Sequence, residues 1–287
     1  MRVLGLILCG LLLTACTTPQ ADEPPKPTAL TADTVFGDFR TIDYCSMLDA
    51  AGGTPESSFE QCRVDVDGTH RIVGPVQSDD DSIQPYDYPG KLPRGVRIWQ
   101  DPQRDKFGGC LRWVGFSDHN WLLVGASRLD SGTATPEQLC TVADDMVART
   151  LGVIEEGKVG HVTYGKDSFG SLDPCALLDR PEVEAIVERG VPDPSPHGHN
   201  CELGTIGLGF RVVAPGTGGT PETVGGRPGR VEVIGAVCFV SVERPLPDRP
   251  GLVEEAKLTG VDLVGHGADA CPDTRAVAEV VVPGLPQ

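Results

Sequence analysis

Eight cysteines constrain this 287-residue chain more than any other feature, because they fall four and four in surroundings that repeat. Asp43-Tyr44-Cys45-Ser46-Met47-Leu48-Asp49 matches Asp173-Pro174-Cys175-Ala176-Leu177-Leu178-Asp179. Cys62-Arg63-Val64 parallels Cys201-Glu202-Leu203, and Gly109-Cys110-Leu111-Arg112 parallels Val237-Cys238-Phe239-Val240. Cys140 and Cys271 each open a stretch of helix-forming residues. Order and context agree while loop lengths differ, the pattern of a unit used twice. We therefore expect tandem domains over 38–155 and 168–287, joined by a linker over 156–167. No two cysteines are spaced as CxxC, so neither a zinc ribbon nor a thioredoxin-type redox site is suggested.

The other two of the ten cysteines, Cys9 and Cys16, lie in an N-terminal segment of different character. Val3 to Leu13 is almost wholly apolar and follows Arg2. It is shorter than the roughly 20 residues of a membrane span and reads as a signal-peptide core. Leu13-Thr14-Ala15-Cys16 closes it and resembles the lipobox of bacterial lipoproteins. That resemblance implies a signal peptide over 1–15 and a lipid on the sulfur of Cys16, which becomes the mature N-terminus. Buried acyl chains at ~0.8 kcal/mol per methylene hold such a protein on a bilayer. Residues 16–37 carry Pro19, Pro24, Pro25 and Pro27 among polar residues and read as an extended tether, at about 3.1 Å per residue. The expected location is the extracytoplasmic face of the cell membrane. In that oxidising setting an even set of cysteines implies a disulfide framework.

Pattern suggests the elements of each domain. Asp173 caps a helix whose first turn takes Pro174, and Leu177, Leu178, Val183, Ile186 and Val187 recur at helical spacing. Asp43 starts a shorter equivalent. Strands are expected at 62–66, 96–99, 111–116 and 121–126, then at 201–203, 208–213, 231–235 and 237–242. Polar loops fill 74–95 and 214–230. Thr135-Pro136-Glu137 begins a helix over 135–151, and a second terminal helix follows Cys271. The expected class is α+β, each domain a helix packed on an antiparallel β-sheet, with a terminal helix and two disulfides. We expect Cys45 with Cys62, Cys110 with Cys140, Cys175 with Cys201, and Cys238 with Cys271. On sequence alone three connectivities remain open within each half.

The Asp173 to Leu178 opening, on a helix that follows a lipobox and tether, resembles an actinobacterial family of exported lipoproteins, domain of unknown function 3558. The match is clearest in the second half. The first half is a degenerate copy, with Tyr44 for the proline and Met47 for the first leucine. In architecture alone the domains also look like the extracellular sensor domains of some mycobacterial serine/threonine kinases. The family resemblance implies an envelope location and disulfides, and it transfers no catalytic residue.

Composition narrows the partners. A formal charge of −17 argues against nucleic acid, whose phosphates require clustered Lys and Arg. Aromatics are only 5%, too few for broad stacking platforms. His197-Gly198-His199 has chelating spacing in an extended chain but lacks an adjacent carboxylate pattern, so a solvated loop is expected. Asp79-Asp80-Asp81 lacks the alternation, glycine and closing Glu of a calcium loop. No Gly-x-Ser-x-Gly elbow or phosphate loop occurs, and Gly225-Gly226-Arg227-Pro228-Gly229-Arg230 reads as a hairpin turn. Neither metal nor cofactor is expected, and the chain is not expected to be an enzyme. The expected role is binding of an unknown small-molecule or protein ligand, between the domains or under the two long loops, with Trp99, Trp113 and Trp121 as the useful aromatics if exposed there; the alternative is that they belong to the core, the favoured reading for Trp113. The alternative is a cell-wall-polymer hydrolase with its site in an inter-domain cleft, marked by a His–carboxylate or carboxylate pair of shifted pKa.

Overall fold

The computed structural model describes residues 29–49, 51–78, 83–101, 108–130, 132–187, 190–261 and 271–287. The signal peptide, Cys16, most of the tether, Asp79 to Asp81 and His266 lie outside the described residues. The fold is α+β, with two seven-stranded antiparallel sheets, few helices and four disulfides.

The ordered body begins ahead of residue 38. Helix α1 (Ala32–Phe36) is capped by Thr31, which exchanges bonds with Thr34, and buries Ala32 and Phe36 completely. Residues 29–37 therefore pack on the first half and do not extend the tether. Strand β1 (Ile42–Asp43) follows, and Asp43 caps a 3-10 turn over Tyr44–Met47 by accepting from the Cys45 N–H. The first sheet then uses β2 (Glu56–Ser57), β3 (Cys62–Val66), β4 (Thr69–Ser78), β5 (Gln84–Pro85), β6 (Arg97–Gln100), β7 (Gly109–Gly115) and β8 (Asn120–Arg128). Helix α2 (Pro136–Glu155) starts on a Thr135–Gln138 capping box and packs on β7 and β8. The expected linker folds back: β9 (Gly160–His161) pairs with β1.

The second half holds α3 (Pro174–Leu178), α4 (Pro181–Glu184), β10 (Asp193–Pro194), β11 (Asn200–Leu203), β12 (Ile206–Val213), β13 (Thr220–Val224), β14 (Arg227–Ile234), β15 (Val237–Pro245), β16 (Val253–Val261) and α5 (Pro272–Val281). The two sheets share one strand order. The first runs β2-β3-β4-β8-β7-β6-β5 and the second β10-β11-β12-β16-β15-β14-β13. Each is a three-strand run and a four-strand run that meet where the third strand pairs with the last. The disulfides sit at corresponding places. Cys45–Cys62 and Cys175–Cys201 tie the opening turn or helix to the second strand. Cys110–Cys140 and Cys238–Cys271 tie the sixth strand to the start of the final helix.

Several expected elements differ. The helical spacing over 173–187 is split into α3 and α4, because Pro181 forces Arg180 into extended backbone, φ −104° and ψ 139°. Central strand β4 runs into the segment expected as a loop from residue 74. Gly74, at φ +100°, and Pro75 are absorbed by a register shift between Val73 and Val76. A Cβ on Gly74 would stand 2.4 Å from the Glu60 carbonyl, so the chain passes there only as glycine. The expected loop over 214–230 is largely a hairpin, β13 and β14, turning at Gly225-Gly226. Strand β16 carries Glu254 and Glu255 in buried positions, and those charges hide its strand character in the sequence.

Each half has its own core. The first includes Phe36, Tyr44, Leu122, Val147 and Leu151, and the second Phe169, Leu178, Phe210, Val240 and Val277. Phe59 crosses this division: it comes from the first half and packs into the second core at 4% exposure.

Candidate functional site at the junction of the halves

The segment Ser57-Ser58-Phe59-Glu60-Gln61 between β2 and β3 joins the halves. Its polar backbone and hydroxyls find partners across the junction. Arg249 Nη1 donates to the Ser57 carbonyl at 2.6 Å, and the Val212 N–H donates to Ser58 Oγ at 3.3 Å. Phe59 stacks on His199 at 5.2 Å between ring centroids and meets Tyr164 edge-on at 5.3 Å. His199 Nε2 donates to the Arg40 carbonyl at 2.9 Å. Asn200 Nδ2 donates to Glu60 Oε1 at 3.1 Å and lies 3.4 Å from His197 Nε2.

Four clefts lie along the junction, each drawing residues from both halves, and three of them are lined by residues of this segment. One of ≈ 700 Å³ lies between Glu56–Arg63 and the Val212–Ala214 and Arg249–Leu252 loops. One of ≈ 520 Å³ lies between Phe59, Tyr164, Ser168 and Arg244. One of ≈ 340 Å³ separates Pro75–Ser78 from Asp193–His197. The last, ≈ 360 Å³, is a trough on the outer face of the second sheet. Its floor is Gly207 and Gly209, and its walls carry Glu60, Asn200 and Glu202 on one side and Lys257, Thr259 and Phe239 on the other.

Sheet register explains the trough. Directly paired residues of an antiparallel sheet point to one face. Glu202, Gly207, Thr259 and Phe239 pair across β11, β12, β16 and β15 in one row, and Asn200, Gly209, Lys257 and Ser241 in the next. Leu208 and Phe210, between the two glycines and beyond, point inward and are buried. Two glycines in one strand thus remove side chains from the outer face while the inner face stays packed.

Burial shapes the charges here. Desolvation raises the Glu60 carboxyl above its usual value, opposed by the Asn200 hydrogen bond and by Arg211. Desolvation lowers the Lys257 ammonium, and Arg211 adds to that, against Glu255 and Glu232. Lys257 Nζ sits over the Phe239 ring at 3.8 Å. His197 and His199 are both lowered to about 4, chiefly by desolvation.

These positions correct the expectation for the histidine pair. His197 and His199 are 5% and 0% exposed, because the His197–His199 turn is plugged against Arg40 and Phe59, and they do not form a solvated loop. Among the described residues no group of three or more His, Cys, Asp or Glu is placed to hold a metal ion. The tryptophans line none of the four clefts. Trp113 and Trp121, at 7% and 6% exposure, join Leu111 and Ile83 in an apolar cluster on the first sheet, and Trp99 stacks on Trp121 at 4.9 Å.

The other buried charges brace elements. Arg112 Nε donates to Asp144 Oδ1 at 2.9 Å, its guanidinium lies over the Tyr86 ring, and Tyr86 donates to Asp144 Oδ2 at 2.7 Å. That network ties β7 to α2. Glu254 accepts from the Phe169 N–H at 2.9 Å and from Arg244 Nη1 at 2.9 Å, which fixes the turn ahead of α3.

Sequence reasoning did not find Glu60, Asn200 or Lys257. The readable signals were indirect: a phenylalanine inside the polar run Ser57 to Gln61, and Gly207-Leu208-Gly209 within a strand.

No family model and no curated protein matches the chain. A solved structure, that of DynU16 from the dynemicin biosynthetic locus, aligns at 13% identity over 77% of this chain and 80% of that one, with a TM-score of 0.15. A likeness of that strength carries no argument about fold or function. No described helix is long and apolar enough to cross a membrane.

Proposed function

We propose that this is an exported, lipid-anchored cell-envelope protein with a non-enzymatic binding or accessory role, and that its ligand is received at the junction of two copies of one α+β unit. The observation that carries the binding reading is the arrangement at the junction: each of the four clefts combines residues of both halves, and three of them are lined by residues 57–61. The shared strand order and the corresponding disulfides support descent of the halves from one plan. The anchor and envelope location rest on Leu13 to Cys16 and the tether, and the kinship with the domain of unknown function 3558 lipoproteins rests on Asp173 to Leu178.

The hydrolase reading keeps one observation in its favour, a carboxyl of raised pKa, Glu60, near His197 in the junction. Asn200 intervenes between them.

Two measurements test the proposal. In membrane fractionation, Cys16→Ser should move the protein from the membrane to the soluble fraction, and persistent attachment would refute the anchor. Purified full chain should release no fragments from cell-wall polymer. Release that Glu60→Gln abolishes would replace the binding role with the hydrolase.

A further inference from the structure

We infer that the trough over Gly207 binds a small zwitterion of the amino-acid or short-peptide class, its ammonium toward Glu60 and Glu202 and its carboxylate toward Lys257 and Thr259. This deepens the junction reading and rests on it.

Three observations lead there. The floor is open at Gly207: a Cβ built there meets nothing closer than the Cys201 carbonyl oxygen at 3.8 Å. At Gly209 the same atom would stand 2.1 Å from Asn200 Oδ1, so the Asn200 side chain closes that end. The vacant slot is therefore short and centred on residue 207.

The walls are of opposite sign. Glu202 on β11 and Glu60 from the first half form one side, and Lys257 and Thr259 on β16 the other. The strands β11 and β16 flank β12, so their backbones are about 9–10 Å apart. That spacing is on the scale of an amino acid or dipeptide lying across the strands.

None of Lys257, Glu202 and Glu60 makes a direct ion pair; Glu255 and Glu232 act on Lys257, and Arg211 on Glu60, only from beyond ion-pairing distance. Lys257 rests on the Phe239 ring and has no carboxylate at ion-pairing distance among the described residues. The Glu202 carboxylate makes no hydrogen bond or ion pair there either, and the one direct contact of the Glu60 carboxylate is the neutral Asn200 amide. Arg211 also lines the trough and acts on Glu60 from a distance, but its own ion pair is with Glu255. An anion would satisfy Lys257 and face two carboxylates, and a cation would do the reverse. A zwitterion satisfies both walls. The partial desolvation of Lys257 and Glu60 strengthens such contacts, since charge-assisted bonds gain where water is excluded.

The test is isothermal titration calorimetry on the full chain in detergent, with the free amino acids and unprotected alanine dipeptides as probes. At least one probe should bind. Its N-acetyl and C-amide forms should each bind about tenfold to a hundredfold more weakly, the loss of one charge-assisted contact. Gly207→Val should abolish binding while leaving the melting temperature unchanged or raised, because valine favours a strand and its Cβ meets open space. Blocked forms that bind as well as the free probe would overturn the inference, as would the absence of binding by every probe. A neutral sugar or simple anion whose binding is lost in Gly207→Val would overturn the zwitterion class while sustaining the junction site. Binding that persists unchanged in Gly207→Val would overturn the trough as the site while sustaining a junction site at another cleft.

Discussion

Acid should loosen this protein at the junction before it unfolds the rest, and the reason lies in two buried imidazoles. His197 and His199 are held neutral in the fold, with values lowered from 6.5 to about 4. The tautomer of His199 follows from its partner: the Arg40 carbonyl can only accept, so Nε2 carries the proton. Nδ1 of His199 is buried without a hydrogen-bond partner, so a second proton there finds no acceptor among the described residues. The groups around the pair are Arg40 and Asp38 from the opening turn, Tyr164 from the linker, and Glu60 with Asn200 across Phe59. A folded-state value below the unfolded one means that unfolding takes up protons as pH falls. The stabilisation is therefore full above 6.5 and declines between 6.5 and about 4. At ~1.36 kcal/mol for each factor of ten in protonation, the fall from 6.5 to about 4 is worth roughly 3 kcal/mol for each histidine once both states are protonated. By pH 5, where most carboxylates have barely begun to titrate, each accounts for about 2 kcal/mol. Glu60 acts in the opposite sense, because its raised value stabilises the fold as it takes up a proton. Denaturant titrations at constant ionic strength, from neutrality to pH 5, measure the slope. The double variant His197→Gln with His199→Gln should flatten it. A wild-type stability that stays level over that window, or a double variant with an unchanged slope, would refute the reasoning.

Two further outcomes follow from the packing. Removing the disulfide Cys238–Cys271 as a serine pair should cost about 3.7 kcal/mol in chain-entropy terms, against about 3.1 for Cys45–Cys62, since the loops close 33 and 17 residues. Denaturant midpoints with unchanged m-values would measure both, and equal losses would count against the entropic account. Phe59→Ala should destabilise by about 3–5 kcal/mol, the range for a large buried aromatic, and should do so by loosening the second half, whose core it enters. Hydrogen exchange is the readout: faster exchange in β12 and around His199, with β7 and α2 protected as before. Exchange that rises only in the first half would show that Phe59 belongs to its own half alone.

How much of this was legible in the sequence depends on how locally each feature is encoded. The cysteine repeat announced two corresponding halves, because a disulfide needs a residue type that stands out in any string. Thr135 and Asp173 announced helix starts, because a cap is a contact within one turn. The central strands were hidden, and for a physical reason. Strand β4 carries Gly74-Pro75, and β16 carries Glu254 and Glu255, residues that ordinarily argue against a strand interior. Each is tolerated because of something distant: a register shift against β8 for the first, and Arg244, Arg211 and the Phe169 N–H for the second. The site was less legible still. Glu60, Asn200, Gly207 and Lys257 come from four segments that only the sheet register and the junction bring together. In the string each is an ordinary polar residue or a glycine. The first half sends Phe59 and Glu60 into the second, and the trough lies on the second sheet with no counterpart glycine pair on β4. The halves share a plan, yet they differ where they meet, with one copy supplying the floor and the other part of the wall. On the trough proposed above, binding needs both halves in place, so ligand and protonation of His197 and His199 are expected to oppose one another: probe affinity in calorimetry should fall from neutrality to pH 5, and affinity that stays level would refute the coupling.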